Sequence, residues 1–428
     1  MLRKISFRKR SAMLVLLAFG LLLGAAWAQT ESVLYSFCSQ DNCTDGASPY
    51  AGVVFDQKGN LYGTAAGGGT GTHEQAGVVF KLTPKGKETV LYNFCEQEGC
   101  TDGAGPEAGV VFDQKGNMYG TTFGGGIGDD PGYGVVFKLT PQGKYTVLHT
   151  FEGADGANPA AGLVFDQKGN MYGTTVNGGA NGGGAVFKLT PKGKETVLYS
   201  FCAQSNCADG EWPYAGVALD RKGNLYGTTY AGGAYDHCGA PVSDGCGVVF
   251  ELTPEGKETV LYSFCAQNNC ADGASPWAGL IFDQKGNLYG TTWLGGNNNP
   301  CDTGGEGCGV VFKLTPEGKE TVLYNFCAQD NCVDGSAPRA GLVFGKRGDL
   351  YGTTQLGGAP SFFGGVVFKL TPEGKEKVLY SFCSQDNCLD GAQPYAGLVC
   401  DHEGNLYGTT LDGGAGIYAG GVVFKLTK

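Results

Sequence analysis

The sequence predicts an all-β fold made of repeated units, and three observations support this prediction. The segment AGLVFDQKGNMYGTT at residues 161–175 recurs seven times in close copies, and a period of roughly 50 to 63 residues is typical of repeat architectures. Each unit contains four short segments rich in Val, Phe, Tyr, Leu and Thr, which favour strands. The first and last units are complementary fragments. The copies begin at Ala51, Ala108, Ala161, Ala215, Ala278, Ala340 and Ala396.

The first complete unit illustrates the four strands and their connections. The strands are predicted at Gly52 to Asp56, Leu61 to Thr64, Val78 to Thr83 and Thr89 to Phe94. Near-constant segments such as DQKGN and PKGK join the first strand to the second and the third to the fourth, and each places Gly after a turn former, as short hairpins require. The other two connections are long and variable. In an antiparallel meander these two lie at the same end of the strands, which we call the loop face.

The strand count predicts how the array closes. The first three strands of the unit occur seven times, and the last set ends in residues 421–427 with no fourth strand after it. The missing strand is found at the other terminus, as Ser32 to Phe37. An N-terminal strand that completes the last sheet leaves no open edge. We therefore predict a seven-bladed β-propeller; the alternative, a β-helix, gives no reason for this split.

The N-terminal segment has the pattern of a secretory signal peptide. Five basic residues precede an apolar run from Met13 to Leu23, which leads to Ala26-Trp27-Ala28. We expect residues 1–28 to be removed by cleavage after Ala28, and residues 29–428 to form a single propeller domain. The apolar run is too short to span a bilayer. The expected location is therefore extracellular or periplasmic, without membrane insertion.

The net charge bears on the class of partner. Removal of the signal peptide changes the formal charge from −11 to −16, and a strongly acidic surface disfavours nucleic acid as a ligand. The alternative explanation of this charge is solubility alone. We expect a monomer.

Seventeen cysteines in an exported chain predict a disulfide framework. Six pairs have C-x4-C spacing in the loops between units, and two more lie in the long second connections. Zinc binding is the alternative, but the four histidines supply no recurring fourth ligand. Cys400 replaces a Phe of the other units, so we expect a buried thiol. The predicted pairs are Cys38–Cys43, Cys95–Cys100, Cys202–Cys207, Cys238–Cys246, Cys265–Cys270, Cys301–Cys308, Cys327–Cys332 and Cys383–Cys388.

The recurring segments VLYSF, DQKGNLYGTT and GGVVFKLTP resemble the GloVer-type tandem repeats of "choice-of-anchor" bacterial exported proteins, over essentially the whole mature chain. The resemblance implies export and a propeller-like fold. It implies no established activity.

An Asp-Gly dipeptide is present in every loop between units. Carboxylates at matched positions near a channel mouth could hold calcium or a cationic ligand. The alternative is a turn capped by the Asp side chain. No other cofactor is expected. The seven residues are Asp45, Asp102, Asp155, Asp209, Asp272, Asp334 and Asp390.

In each unit, the residue type varies at two positions while the surrounding segments stay constant. One follows the loop proline, immediately before the innermost strand, and the other follows the GTT segment on the same face. Exposed aromatic side chains beside carboxylates suit sugar stacking or a protein contact; the alternative is that the rings only pack between blades. The first set is Tyr50, Glu107, Ala160, Tyr214, Trp277, Arg339 and Tyr395. The second is Ala65, Phe123, Val176, Tyr230, Trp293, Gln355 and Leu411.

These patterns favour a non-enzymatic function. His73, His149, His237 and His402 occupy unrelated repeat positions, and no nucleophile elbow, metal-binding helix or phosphate loop is present. We expect an exported binding or interaction protein that holds a glycan or protein ligand on its disulfide-braced loop face and channel mouth. The alternative is a calcium-dependent propeller hydrolase or lyase that uses the loop carboxylates.

Overall fold

The structure, a computed structural model, describes residues 30–71, 76–128, 132–236, 238, 245–297 and 307–427. Twenty-eight strands in these ranges form seven antiparallel four-stranded sheets arranged as the blades of a β-propeller. The predicted signal peptide, residues 1–28, and its cleavage site lie outside the described residues. Within the described ranges, no helix is long and apolar enough to cross a membrane.

The strands take the same four places in every blade. The innermost strands are β2 (Val54–Phe55), β6 (Val111–Phe112), β10 (Val164–Phe165), β14 (Ala218–Leu219), β18 (Ile281–Phe282), β22 (Val343–Phe344) and β26 (Val399–Cys400). The second strands are β3 (Leu61–Ala65), β7 (Met118–Thr122), β11 (Met171–Thr175), β15 (Leu225–Thr229), β19 (Leu288–Thr292), β23 (Leu350–Thr354) and β27 (Leu406–Thr410). The third strands are β4 (Val78–Leu82), β8 (Val135–Leu139), β12 (Ala185–Leu189), β16 (Val248–Leu252), β20 (Val310–Leu314), β24 (Val366–Leu370) and β28 (Val422–Thr427). The outermost strands are β5 (Glu88–Asn93), β9 (Tyr145–Thr150), β13 (Glu195–Ser200), β17 (Glu258–Ser263), β21 (Glu320–Asn325), β25 (Glu376–Ser381) and β1 (Thr30–Ser36).

Short 3-10 turns occur outside the sheets. Their bounds are Asp41–Cys43, Glu98–Cys100, Ser205–Cys207, Asn268–Cys270, Asp330–Cys332, Lys346–Gly348 and Asp386–Cys388.

The N-terminal strand closes the ring, as the strand count predicts. Strand β1 pairs with β28 along its length, from Thr30 opposite Thr427 to Ser36 opposite Val422. The seventh sheet therefore has the order β26, β27, β28, β1. We number the blades 1 to 7 from β2–β5 to this composite sheet. The pairing confirms the propeller and excludes the β-helix.

The innermost strands are shorter than predicted. Each is preceded by a glycine, at which the backbone passes close to the neighbouring blade near the propeller axis. Strand β2 covers only Val54–Phe55, whereas the sequence predicted Gly52 to Asp56. A Cβ added at Gly52 would lie 2.7 Å from the carbonyl oxygen of Gly397 in the neighbouring blade. The same relation repeats around the ring. The glycines are Gly52, Gly109, Gly162, Gly216, Gly279, Gly341 and Gly397.

Buried phenylalanines hold neighbouring blades together. Phe37, at the end of the outermost strand of blade 7, meets Phe80 of blade 1 edge to face, with ring centroids 4.9 Å apart. Equivalent pairs join the other blades, and all these rings are fully buried or nearly so. The ring of Phe80 lies over Gly63, where an added Cβ would be only 2.7 Å from it. The constant Gly of the LYGTT segment therefore makes room for the core.

A hydrogen bond to the next blade repeats at each interface. The Thr64 hydroxyl of blade 1 donates to the carbonyl oxygen of Ala108, which precedes the innermost strand of blade 2, at 2.9 Å. Thr409 of blade 7 donates in the same way to Ala51 and so links the last unit to the first. These buried bonds fix the start of each innermost strand, where the variable residues of the channel mouth lie.

Candidate ligand-binding site at the channel mouth

The two long connections of each blade meet on one face, as predicted. In blade 1 the loop between units forms a backbone bridge with the second connection, through Ala47 and Gly67. Equivalent bridges occur in all seven blades, the last joining Ala392 to Asp412. The loop face is thus a continuous hydrogen-bonded layer.

Seven of the eight predicted cysteine pairs are disulfides in the structure. Cys301 of the eighth pair lies outside the described residues. Disulfides at this density indicate an oxidising, extracytoplasmic compartment.

The expectation of a buried Cys400 thiol is wrong, because this cysteine is exposed. The residues at the equivalent position in the other blades only partly cover the end of the blade interface. Phe55, for example, meets Tyr407 edge to face at 5.0 Å and remains half-buried. The smaller Cys400 leaves that position open to solvent.

The loop aspartates are engaged by their own loops. Asp45 is completely buried, and its carboxylate accepts hydrogen bonds from the Tyr35 hydroxyl at 2.7 Å and from the backbone N–H groups of Ser39 and Gln40. Asp102, Asp209, Asp272, Asp334 and Asp390 repeat this pattern. Because the tyrosines belong to the outermost strands, these aspartates lie away from the channel mouth. The sequence had predicted them near that mouth. A capped loop accounts for the Asp-Gly repeat without a bound cation.

The loop between blades 2 and 3 departs from this pattern. It is shorter and has no cysteines, and its Asp155 accepts a hydrogen bond from the backbone N–H of Glu152 and pairs with His149 at 2.8 Å, where the other blades have Tyr. Ligand atoms of His149, Asp155 and Glu195 lie within 4.8 Å of one another. These three residues could hold a metal ion, although the pair also caps the loop by itself. The loss of the cysteines and the change from Tyr to His were the only sequence signals of this cluster.

A glutamate is the first or, in blade 7, the second residue of the outermost strand in six of the seven blades. Each has a buried Oε1 without a hydrogen-bond partner among the described residues, and burial together with the neighbouring loop Asp raises each pKa to about 7. In blade 2, Tyr145 takes this place and its hydroxyl donates to the carbonyl oxygen of Asp102. The six are Glu31, Glu88, Glu195, Glu258, Glu320 and Glu376.

The variable residues before the innermost strands converge on the channel mouth. A cavity of about 350 Å³ there is lined by Tyr50, Glu107, Phe123, Ala160, Tyr214, Trp277 and Tyr395. A second cavity of about 440 Å³ adjoins it between the loops of blades 1 and 2, and its walls include Tyr50, Glu107 and Phe123 together with many glycines. Both volumes suit a small ligand.

One assignment in the second variable set is wrong. Ala65 pairs with Val78 in the sheet, as Thr122 pairs with Val135, so Ala65 corresponds to Thr122. The counterpart of Phe123 is therefore Ala66, which lines the larger cavity.

Blades 4 to 7 fill their part of the mouth with mutually packed side chains, which we call the packed arc. Tyr214 stacks on Trp277 with centroids 4.1 Å apart. The Arg339 guanidinium lies over the rings of Trp277 and Trp293, 4.4 Å from each centroid, and over Tyr395 at 4.8 Å. Burial lowers the pKa of Arg339 to about 10. The packed arc comprises Tyr214, Tyr230, Trp277, Trp293, Arg339 and Tyr395.

Blades 1 to 3 leave their part of the mouth unfilled, and we call Tyr50, Glu107, Phe123 and Ala160 the open arc. Desolvation raises the pKa of the Glu107 carboxyl to about 7. No hydrogen bond or ion pair engages that carboxyl within the described ranges. Desolvation also raises the pKa of Tyr50, and the negative charges of Glu107 and Asp412 raise it further.

The structure therefore brings six of the nine predicted ligand-binding residues to the wall of one cavity: Tyr50, Glu107, Phe123, Tyr214, Trp277 and Tyr395. Arg339, Tyr230 and Trp293 lie in the packed arc but do not line this cavity. Asp412 and the glycine wall carried no sequence signal, because their place depends on how the loops fold.

Several solved structures are similar to this chain at low sequence identity. Hydrazine synthase from Kuenenia stuttgartiensis is 12% identical, with a TM-score of 0.53 over 86% of this chain and 94% of that one. A periplasmic gluconolactonase of Pseudomonas aeruginosa is 16% identical, with a TM-score of 0.48 over 86% and 98%. A gluconolactonase of Xanthomonas campestris is 14% identical, with a TM-score of 0.39 over 68% and 78%. No curated protein matches the sequence.

The repeat itself matches a known family. The sequence model of the Gloeobacter/Verrucomicrobia repeat matches residues 71–300 and 238–428, and these two ranges together cover most of the chain. The protein belongs to the Gloeobacter/Verrucomicrobia repeat family.

Proposed function

We propose that this protein is an exported, non-enzymatic binding protein that holds a glycan at the channel mouth, with Tyr50, Glu107 and Phe123 as its main contacts. The observation that carries the proposal is that two adjoining cavities share these three side chains. Half-buried aromatic rings offer faces for a sugar, the carboxylate offers hydrogen-bond acceptors, and the disulfide-braced loops hold the wall in place.

The glycine-rich wall supports a ligand of this kind. Gly124, Gly125 and Gly126 line the larger cavity beside Phe123. Because glycine has no side chain, this wall keeps the space beside Phe123 open for a ligand. Cavities of 350 and 440 Å³ suit a short oligosaccharide better than the broad contact of a protein partner.

The calcium-dependent hydrolase or lyase hypothesis loses the residues that motivated it. It depended on the loop aspartates, and the oxygens of six of them accept bonds from tyrosine and loop N–H groups, while the seventh, Asp155, pairs with His149. In the part of the chain that the structure describes, the mouth cavity is lined by one carboxylate, Glu107, whereas calcium takes several oxygen ligands.

A glycan array followed by calorimetry tests the proposal. We expect the double variant Tyr50→Ala, Phe123→Ala to bind the best array ligand at least tenfold more weakly, because two stacking faces are lost and each aromatic contact is worth about 1 kcal/mol. The control is Tyr418→Ala, since Tyr418 is a loop-face aromatic that is 76% exposed and lines neither cavity. Unchanged affinity in the double variant would show that the mouth is not the binding site.

A further inference from the structure

We propose that the ligand carries an organic ammonium group that Glu107 binds among the aromatic rings of the mouth, as in a saccharide with a free amine. This inference rests on the proposed glycan site. Its starting point is a half-buried carboxyl group at the cavity wall: across the described residues, Glu107 has neither a hydrogen-bond donor nor a cation beside it. A partly desolvated carboxylate without a partner is unfavourable, and a cationic ligand supplies that partner.

The rings around Glu107 suit a cation as well as a sugar. Tyr50 and Phe123 line both cavities with Glu107, and Tyr214, Trp277 and Tyr395 form the opposite wall of the smaller one. The faces of aromatic rings attract ammonium groups, and aromatic cages recognise quaternary ammonium ligands in this way. The Arg339 guanidinium already lies over Trp277, Trp293 and Tyr395, so within the described chain Tyr50 and Phe123 are rings beside Glu107 that have no cation over them.

The charges that face the cavity favour the open arc as the place of the cation. Glu107 acts electrostatically on Tyr50 and on Tyr214, and Asp412 acts on Tyr50 from the side of blade 7. The Arg339 guanidinium stacks on Trp277, Trp293 and Tyr395, and its positive charge also acts on Tyr50 and Tyr214, in opposition to Glu107. A ligand ammonium group is therefore favoured on the Glu107 side of the mouth, away from Arg339.

The substituent on the amine decides the interaction. A protonated free amine would form a charge-assisted hydrogen bond with the Glu107 carboxylate. Its N-acetylated counterpart is neutral and bulkier, and it loses that bond. The inference therefore predicts discrimination between otherwise identical saccharides.

Calorimetry with three probes on the full mature chain tests the inference. The probes are a glucosamine trimer with free amines, its N-acetylated form, and choline, whose charge does not change with pH. We expect the free-amine trimer to bind about tenfold or more tightly than the acetylated trimer at pH 7, and Glu107→Gln to abolish the difference. Glu88→Gln is the matched control, since Glu88 has the same raised pKa but lies on the outermost strand of blade 1.

The pH profile gives a second readout. Because the pKa of Glu107 is raised to about 7, choline affinity should fall as the pH decreases from 8 to 5.5, and this dependence should vanish in Glu107→Gln. Equal affinity for the two trimers, with both lost in Tyr50→Ala, Phe123→Ala, would overturn the ammonium inference and leave the glycan site standing. Binding of neutral array glycans alone would do the same, whereas a double variant that binds every probe normally would overturn both.

Discussion

The packed arc and the open arc occupy equivalent backbone positions yet have opposite side-chain environments. Tyr50 and Tyr214 show this directly, since both follow the loop proline of their blades. Tyr214 stacks on Trp277 at 4.1 Å and meets Tyr230 edge to face. Tyr50 meets only one described ring, Tyr395 at 5.4 Å, and faces the cavities with its other side. The two tyrosines therefore differ in environment because the residues of the adjoining blades differ.

The comparison shows how a repeated frame generates one site. Each blade supplies the same Thr-to-carbonyl bond and the same glycine approach at the axis, so the backbone of the mouth is nearly symmetric. Bulky residues in blades 4 to 7 fill their share of the space, while Ala66, Glu107 and Ala160 leave theirs empty. Differences in side-chain volume therefore break the symmetry of the ring and leave open space on one side of the mouth.

The largest expected effect concerns the stability contributed by each arc. We expect Trp277→Ala to lower the free energy of unfolding by about 3 kcal/mol, because it removes a ring that contacts Tyr214, Tyr230, Trp293 and Arg339. Phe123→Ala should lower it by less than about 1 kcal/mol, since that ring lines an existing cavity. Thermal unfolding followed by calorimetry measures both, and equal losses would erase the distinction between the arcs.

The second prediction isolates the guanidinium of the packed arc. Arg339→Lys keeps the charge but loses the planar stacking on three rings, so we expect a loss of about 2 kcal/mol. Arg347→Lys is the control, because Arg347 is exposed in a turn. If both substitutions had the same small effect on the unfolding temperature, the rings would pack without help from the cation.

The sequence allowed the ring to be predicted because strand count and hairpin chemistry are local properties. The closing strand, Ser32 to Phe37, followed from counting, and its pairing with β28 confirms it. The two-residue innermost strands were not predictable in the same way, because their length depends on the approach of Gly52 to Gly397 in another blade.

The position of the site was predictable from the sequence, but the side-chain contacts that divide the mouth into two arcs were not. Comparing repeats located the variable residues, and seven of them line the cavity at the mouth. The separation into two arcs depends on which side chains meet across blades, as Arg339 and Trp277 do. Ala66 was missed because the first repeat reads GTAA where others read GTT, so only the sheet register aligns it.

The smallest expected effect concerns the pH dependence contributed by the open arc. The pKa of Glu107 is about 7 in the folded protein, above its ordinary value of 4.5, so its contribution to stability is fully present below pH 4.5 and is lost as the pH rises through 7. Glu107→Gln should therefore match the wild type at pH 4.5 and be more stable by about 1 kcal/mol at pH 8.5, after allowance for partial solvent exposure. The difference between the two unfolding profiles measures this, because the outer-strand glutamates contribute equally to both. A variant less stable than the wild type at pH 8.5 would mean that the carboxylate stabilises the mouth without a ligand, and the open arc would then resemble the packed one.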